Sequence, residues 1–159
     1  MEREYFEDCR IGDSVVTPGR TITETDIVMF AAFTGDWNIL HTDAEYAERS
    51  VFGERIAHGM LTLVVGTPLI FRPSWYGLLP KSLIAIVGID KVRFVAPVKI
   101  GDTIHLECEV IKVTEMSDQR GLIELKYRIK NQRNEIVVTG RLKAMAGCRP
   151  LKETDHSEP

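Results

Sequence analysis

The segment that most restricts how this chain can fold is His58 to Phe71, HGMLTLVVGTPLIF, which is apolar nearly all round when wound as a helix. A surface helix keeps one polar face; a helix without one has to be covered on almost every side. Pro68 lacks the N–H that would bond back to Val64, so it should kink this helix or end its regular part. The cover must come from a chain of 159 residues, a length that suits one domain with its own core. Downstream, the apolar period changes from helical to twofold. Ile84–Val95 is rich in β-branched residues, with Gly88 as an expected bulge. Over Thr103–Val113, Ile104, Leu106, Cys108 and Val110 alternate with His105, Glu107 and Glu109, which puts His105 toward solvent. Leu122–Lys130 and Ile136–Ala146 alternate in the same way, and Asn131–Asn134 reads as the hairpin turn between them.

Upstream, Ser14–Ile22 reads as a first strand. Thr23 and Asp26 form a short capping box for a helix whose apolar positions are Ile27, Phe30, Ala31 and Phe33, and Gly35 ends it. Asp36–His41 reads as irregular and Asp43–Arg49 as a short helical turn. One strand, then helices, then four long strands predicts an α+β chain in which an antiparallel sheet packs on one long buried helix. A curved sheet can wrap most of that helix, and a second subunit can cover the rest.

Charge narrows the function classes. The formal net charge is -3, which sets no strong positive field and argues against a nucleic-acid binder. Cys9, Cys108 and Cys148 are far apart and form no CxxC pair, so neither a disulfide framework nor a zinc knuckle is expected, and a reduced, cytoplasmic setting fits. The start, MEREYFEDCR, is charged where a leader would be apolar, and no apolar run approaches the roughly 20 residues of a membrane span. A soluble protein with no membrane partner is expected. No internal repeat is visible. Residues 1–148 read as one domain, and residues 149–159 as a loose polar tail in which His156 is solvated.

Two stretches carry chemistry. In FTGDWNILH, Asp36 and His41 lie five residues apart just after a helix stop, where an irregular loop can bring a carboxylate and a neutral imidazole onto one water as an acid–base pair. Asn38 can fix that loop through its amide. The plainer alternative is that Asp36 and Asn38 only form turns and that His41 is a surface residue. In IAHGM, Gly59 opens the apolar helix, where unpaired N–H groups and the helix dipole suit an oxyanion. The alternative is that His58 simply caps the helix and Gly59 eases packing. Thr67 lies within the helix, where its hydroxyl can bond back to a carbonyl. Trp37 can line a pocket or pack, and Arg55, Lys91 and Arg93 can meet phosphates or stay solvated. No carboxylate or Cys stands at ligand spacing from His41 or His58, so no metal site is expected. GxGxxG, GxxxxGK[ST] and GxSxG patterns are absent.

The run FTGDWNILHTDAEYA resembles the hydratase motif of the MaoC-like dehydratases, the (R)-specific enoyl-CoA hydratase type; Gly35, Asp36, Asn38, Leu40, His41 and Ala47 match it. IAHGMLT, the YFED opening, the helix TITETDIVMFAAFTGD and the segment VRFVAPVKIGDTI are also similar to that family, so the resemblance spans about residues 5–147. One position departs: Ile39 stands where the motif has proline, which would stiffen the loop holding the Asp and His. The resemblance implies a hot-dog fold, a curved antiparallel sheet around a long central helix, paired as a homodimer or a higher assembly with sites at the subunit interface. It implies hydration of a trans-2-enoyl-CoA to a (R)-3-hydroxyacyl-CoA, with coenzyme A thioester as substrate and no metal or redox cofactor. Asp36 and His41 would activate the water, Gly59 N–H would bond the thioester oxygen, and Asn38, His58, Met60, Thr67 and Val64 would orient or line the substrate. A thioesterase on the same fold and a non-catalytic acyl-CoA-binding or regulatory module are the alternatives.

Overall fold

The computed structural model describes residues 3–72 and 78–150. Its frame is the set of alternating segments. Strands β3 (Leu83–Phe94), β4 (Thr103–Ser117), β5 (Arg120–Lys130) and β6 (Ile136–Gly147) pair antiparallel, together with a short β1 (Ser14–Val16). The order across the sheet is β1-β4-β5-β6-β3, and β2 (Arg20–Thr21) pairs with β4. The alternation selects one face: Ile104, Leu106, Cys108 and Val110 of β4, Ile123, Leu125, Tyr127 and Ile129 of β5, and Val138, Leu142, Ala144 and Ala146 of β6 are all buried. They share their core with Leu61, Leu63, Leu69 and Ile70 of the apolar helix. His105 stands on the opposite parity, half-exposed, 4.0 Å from Glu107. Gly88 lies at a register shift of β3 against β6, as a bulge requires.

Several elements differ from expectation for identifiable reasons. The first strand is broken at Thr17–Gly19, because Pro18 offers no N–H to the ladder. Thr17 bridges the gap: its N–H donates to Leu106 O and its hydroxyl accepts from Leu106 N, at 2.9 and 3.0 Å. The apolar helix is regular only over α4 (Gly59–Gly66) and tightens to a 3-10 turn over Thr67–Phe71, which contains Pro68. It is not covered all round within one chain, since Met60 and Val64 are half-exposed. The β4–β5 hairpin runs on to Ser117 and Arg120, past the apolar alternation, because ladder pairing continues where both faces are wet. The tail does not start at residue 149: Arg149 donates to Glu7 and pairs with Asp8 at 2.9 Å. Residues 151–159, His156 among them, lie outside the described residues. Among the described residues no helix is long and apolar enough to cross a membrane.

Asp102 holds the approach to β4. It is buried and accepts from Gln132 Nε2 at 2.6 Å, Lys99 N–H at 2.9 Å and Arg133 Nη1 at 3.1 Å. This ties the Lys99–Asp102 turn to the β5–β6 hairpin. Burial works to raise its pKa, but the Gln132, Lys99 and Arg133 contacts prevail and hold the carboxyl below the ordinary range. A carboxyl with a lowered folded-state pKa stabilises above its unfolded value, and the contribution is lost as pH falls through the folded value. Asp102→Asn should therefore cost about 1–2 kcal/mol at pH 7. In thermal melts the gap to wild type should close as pH drops below about 4. A gap that stays constant with pH would disprove the charge's part in it.

Candidate active site

The site begins at the end of α1 (Glu24–Thr34). Thr23 Oγ1 accepts from Asp26 N–H while the Asp26 carboxylate accepts from Thr23 N–H, at 3.3 and 2.8 Å, so the predicted capping box is present. Gly35 closes the helix at φ 78°, a left-handed conformation that costs glycine nothing. Thr34 Oγ1 accepts from Asp36 N–H at 3.2 Å, which starts the chain in a new direction. The stretch that follows is not irregular throughout. Asn38 caps a single turn, α2 (Ile39–Thr42), by accepting from Leu40 N–H at 3.0 Å, and His41 lies within that turn. Asn38 N–H also donates to Asp36 Oδ1 at 3.3 Å. Ile39 is the first helical residue, a position whose N–H has no helical partner, so the turn forms without proline. A second short helix, α3 (Ala44–Glu48), follows.

His41 and His58 are each oriented by a backbone carbonyl. A carbonyl only accepts, so His41 carries a proton on Nδ1, donated to Ile56 O at 2.8 Å, the tautomer that leaves Nε2 as the acceptor when one proton is bound. His58 carries its proton on Nε2, donated to Asp36 O at 3.0 Å. The two rings stack with centroids 3.9 Å apart, and Phe30 flanks His58 at 4.9 Å. His58 precedes α4 but makes no capping bond. Burial pushes its imidazole below the ordinary histidine range; the Asp36 carbonyl opposes this and the neighbouring His41 reinforces it. His58 is therefore neutral at pH 7.

One ligand atom each from Asp36, His41 and His58 falls within 4.8 Å of the others. The carboxylate that sequence spacing did not supply is thus supplied by the loop, and the ground for setting a metal aside does not hold in three dimensions.

Asp36, His41, His58, Gly59 and Met60 line a cavity of about 490 Å³. Its other wall is apolar: Phe94–Val98, Val137 and Val138. Asn38 does not reach the cavity and acts on the loop. Thr67 lies elsewhere, its hydroxyl donating to Leu63 O at 2.9 Å, and Thr62 lines the cavity instead. Val64 is also absent from the lining. Trp37 is half-exposed, Arg55 is paired with Glu24 at 2.8 Å, and Arg93 donates to its neighbour's carbonyl. Lys91 takes φ 53° within β3. Residue patterns alone did not identify Ile56, whose carbonyl sets the His41 tautomer, or Phe30.

A carboxylate, an imidazole and the first residue of an apolar helix thus line one cavity. Residues 7–132 match the MaoC-like domain family model, and the chain belongs to that family. It is 31% identical over 150 residues to an (R)-specific enoyl-CoA hydratase of Rhodospirillum rubrum, covering 91% of this chain and 93% of that one. It is 43% identical over 104 residues to Protein MaoC of Klebsiella aerogenes, covering 65% of this chain but only 30% of that protein. Among solved structures, R-hydratase PhaJ1 from Pseudomonas aeruginosa superposes with TM-score 0.72 at 33% identity, covering 94% and 89% of the two chains. An Archaeoglobus protein described as a monoamine oxidase regulatory protein superposes with TM-score 0.86 at 39% identity, covering 94% and 98%. The fold is the hot-dog fold, the sheet wrapping α4 as these neighbours share it.

Proposed function

We propose that the protein is a hydro-lyase that adds water reversibly to a trans-2-enoyl-CoA to give a (R)-3-hydroxyacyl-CoA. The observation that carries this reading is the approach of the Asp36 carboxylate and the His41 ring, each offering an atom within 4.8 Å of the other, in the lining of a cavity that also holds Gly59 at the start of α4. The pair holds a water; its oxygen adds to the β-carbon, one water proton passes to the pair, and the α-carbon takes a proton from it. The Gly59 N–H bonds the thioester oxygen while enolate charge builds there. Met60 and the apolar wall receive the acyl chain. The reaction as written uses only these groups, with no metal or redox cofactor and with the CoA thioester as substrate.

The same reading includes a homodimer in the cytoplasm. The edge strand β3 exposes Ile84, Ile86, Val87 and Ile89, and α4 exposes Met60 and Val64. A long apolar edge of this kind calls for a partner.

The test is the ultraviolet loss of the conjugated thioester with crotonyl-CoA, with free thiol followed in the same cuvette. Loss of absorbance without thiol release is the expected result. Thiol release would replace hydration by thioester hydrolysis, and no turnover on short, long or branched enoyl-CoA would leave acyl-CoA binding.

A further inference from the structure

His58 is 2% exposed and yet keeps an imidazole where a hydrocarbon ring would pack equally well against Phe30. Its Nδ1 is buried with no hydrogen-bond partner. Packing alone does not explain a side chain that carries a buried, unpaired acceptor into the core. Its other contacts do. Nε2–H reaches the Asp36 carbonyl at 3.0 Å, and the ring lies against that of His41, centroids 3.9 Å apart and planes tilted by 33°.

Asp36 and His41 stand on separate pieces of backbone: the stretch after α1, and the turn α2. The carboxylate of Asp36 is exposed, and its recorded side-chain bond is the 3.3 Å contact from Asn38 N–H. Asn38 ties the two along the chain, through Asp36 Oδ1 and Leu40 N–H, and a hold from outside the loop fixes their separation further. His58, coming from the segment that leads into α4, touches both.

We propose that His58 is a positioning residue that clamps the Asp36–His41 pair, fixing the Asp36 backbone through Nε2–H and the His41 ring by stacking. It does not need to contact substrate. The inference rests on the hydratase reading above and deepens it.

A misplacement of reacting groups by about 1 Å costs up to ~10²-fold in rate. His58→Phe keeps the stacked ring and removes the N–H. It should lower kcat by about 10- to 100-fold while KM stays within about threefold. Affinity for butyryl-CoA, a saturated thioester that cannot react, should not change. His58→Gln places an amide nitrogen where Nε2 lies and should recover kcat to within about tenfold of wild type. His58→Asn has the same chemistry but stops short of Asp36, and should lose activity as His58→Phe does. The Gln–Asn pair keeps the test readable if the phenylalanine variant does not fold.

Undiminished kcat in His58→Phe would overturn the clamp. So would a loss carried by weaker butyryl-CoA binding, or Gln and Asn variants of equal activity at equal melting temperature. A wild type inactive on every enoyl thioester removes the hydratase reading and the clamp with it. A wild type that is active, beside equally active His58 variants, removes the clamp alone.

Discussion

Asp36→Asn should lower turnover of crotonyl-CoA by about 10³-fold, the scale of a lost acid–base group, with no change in folding. The substitution is nearly isosteric. Asparagine still offers Oδ1 to the Asn38 N–H, and the exposed position asks nothing more of the fold. In the proposed mechanism, what disappears is the charge of the pair that takes up the water proton. His41→Ala should lose activity to a similar degree, but it also strips the Ile56 carbonyl of its 2.8 Å bond. That variant should melt lower, by about 1 kcal/mol of stability. If the two groups act on one water, as proposed, the double variant should be little slower than either single one. Steady-state rates and melting curves on the three proteins check all of this. Near-wild-type rates in Asp36→Asn would end the acid–base role of the pair.

The fold was legible wherever burial follows a simple period. Ile104 to Val110 and Ile123 to Ile129 place one parity in the core because a half-buried strand has no other way to sort them. The nearly all-apolar stretch from Leu61 to Ile70 pointed to a central helix for the same reason. Periodicity failed where the backbone, and not the side chains, decides. Thr17 supplies by its hydroxyl the bond that continues the edge past Pro18, and α2 winds because Asn38 caps it. The site was legible in part. Asp36 and His41 stood out because a carboxylate and an imidazole flank a helix stop, and Gly59 because it opens an apolar helix. The contacts that orient them cross the chain: Ile56 O to His41, and His58 to Asp36 over a separation of 22 residues. No local pattern encodes such a contact. Thr67 failed for the converse reason, since along α4 its hydroxyl has a carbonyl of its own helix to satisfy it.

Two substitutions at Gly59 separate steric from electrostatic effects at the start of α4. A Cβ there would lie 2.9 Å from Phe94 Cδ1 and 3.1 Å from two further ring atoms. Phe94 is half-exposed, so its ring can turn aside, but it lines the cavity and turning it changes the site. Gly59→Ala should therefore keep or raise the melting temperature, because alanine favours a helix over glycine by about 1 kcal/mol, and should lower kcat/KM through crowding alone. Gly59→Pro keeps the Cβ, closes a ring onto the nitrogen and so removes the N–H. Gly59 is the first residue of α4, where proline is tolerated, and His58 already has φ -57° and ψ 138°, the extended conformation that a residue before proline prefers. The helix should survive and only the N–H is deleted. If that N–H steadies the enolate oxygen, Gly59→Pro should be slower than Gly59→Ala by about a further 10²-fold in kcat, the usual cost of one such donor. Equal kcat values in two folded variants would mean that the oxygen is stabilised from elsewhere.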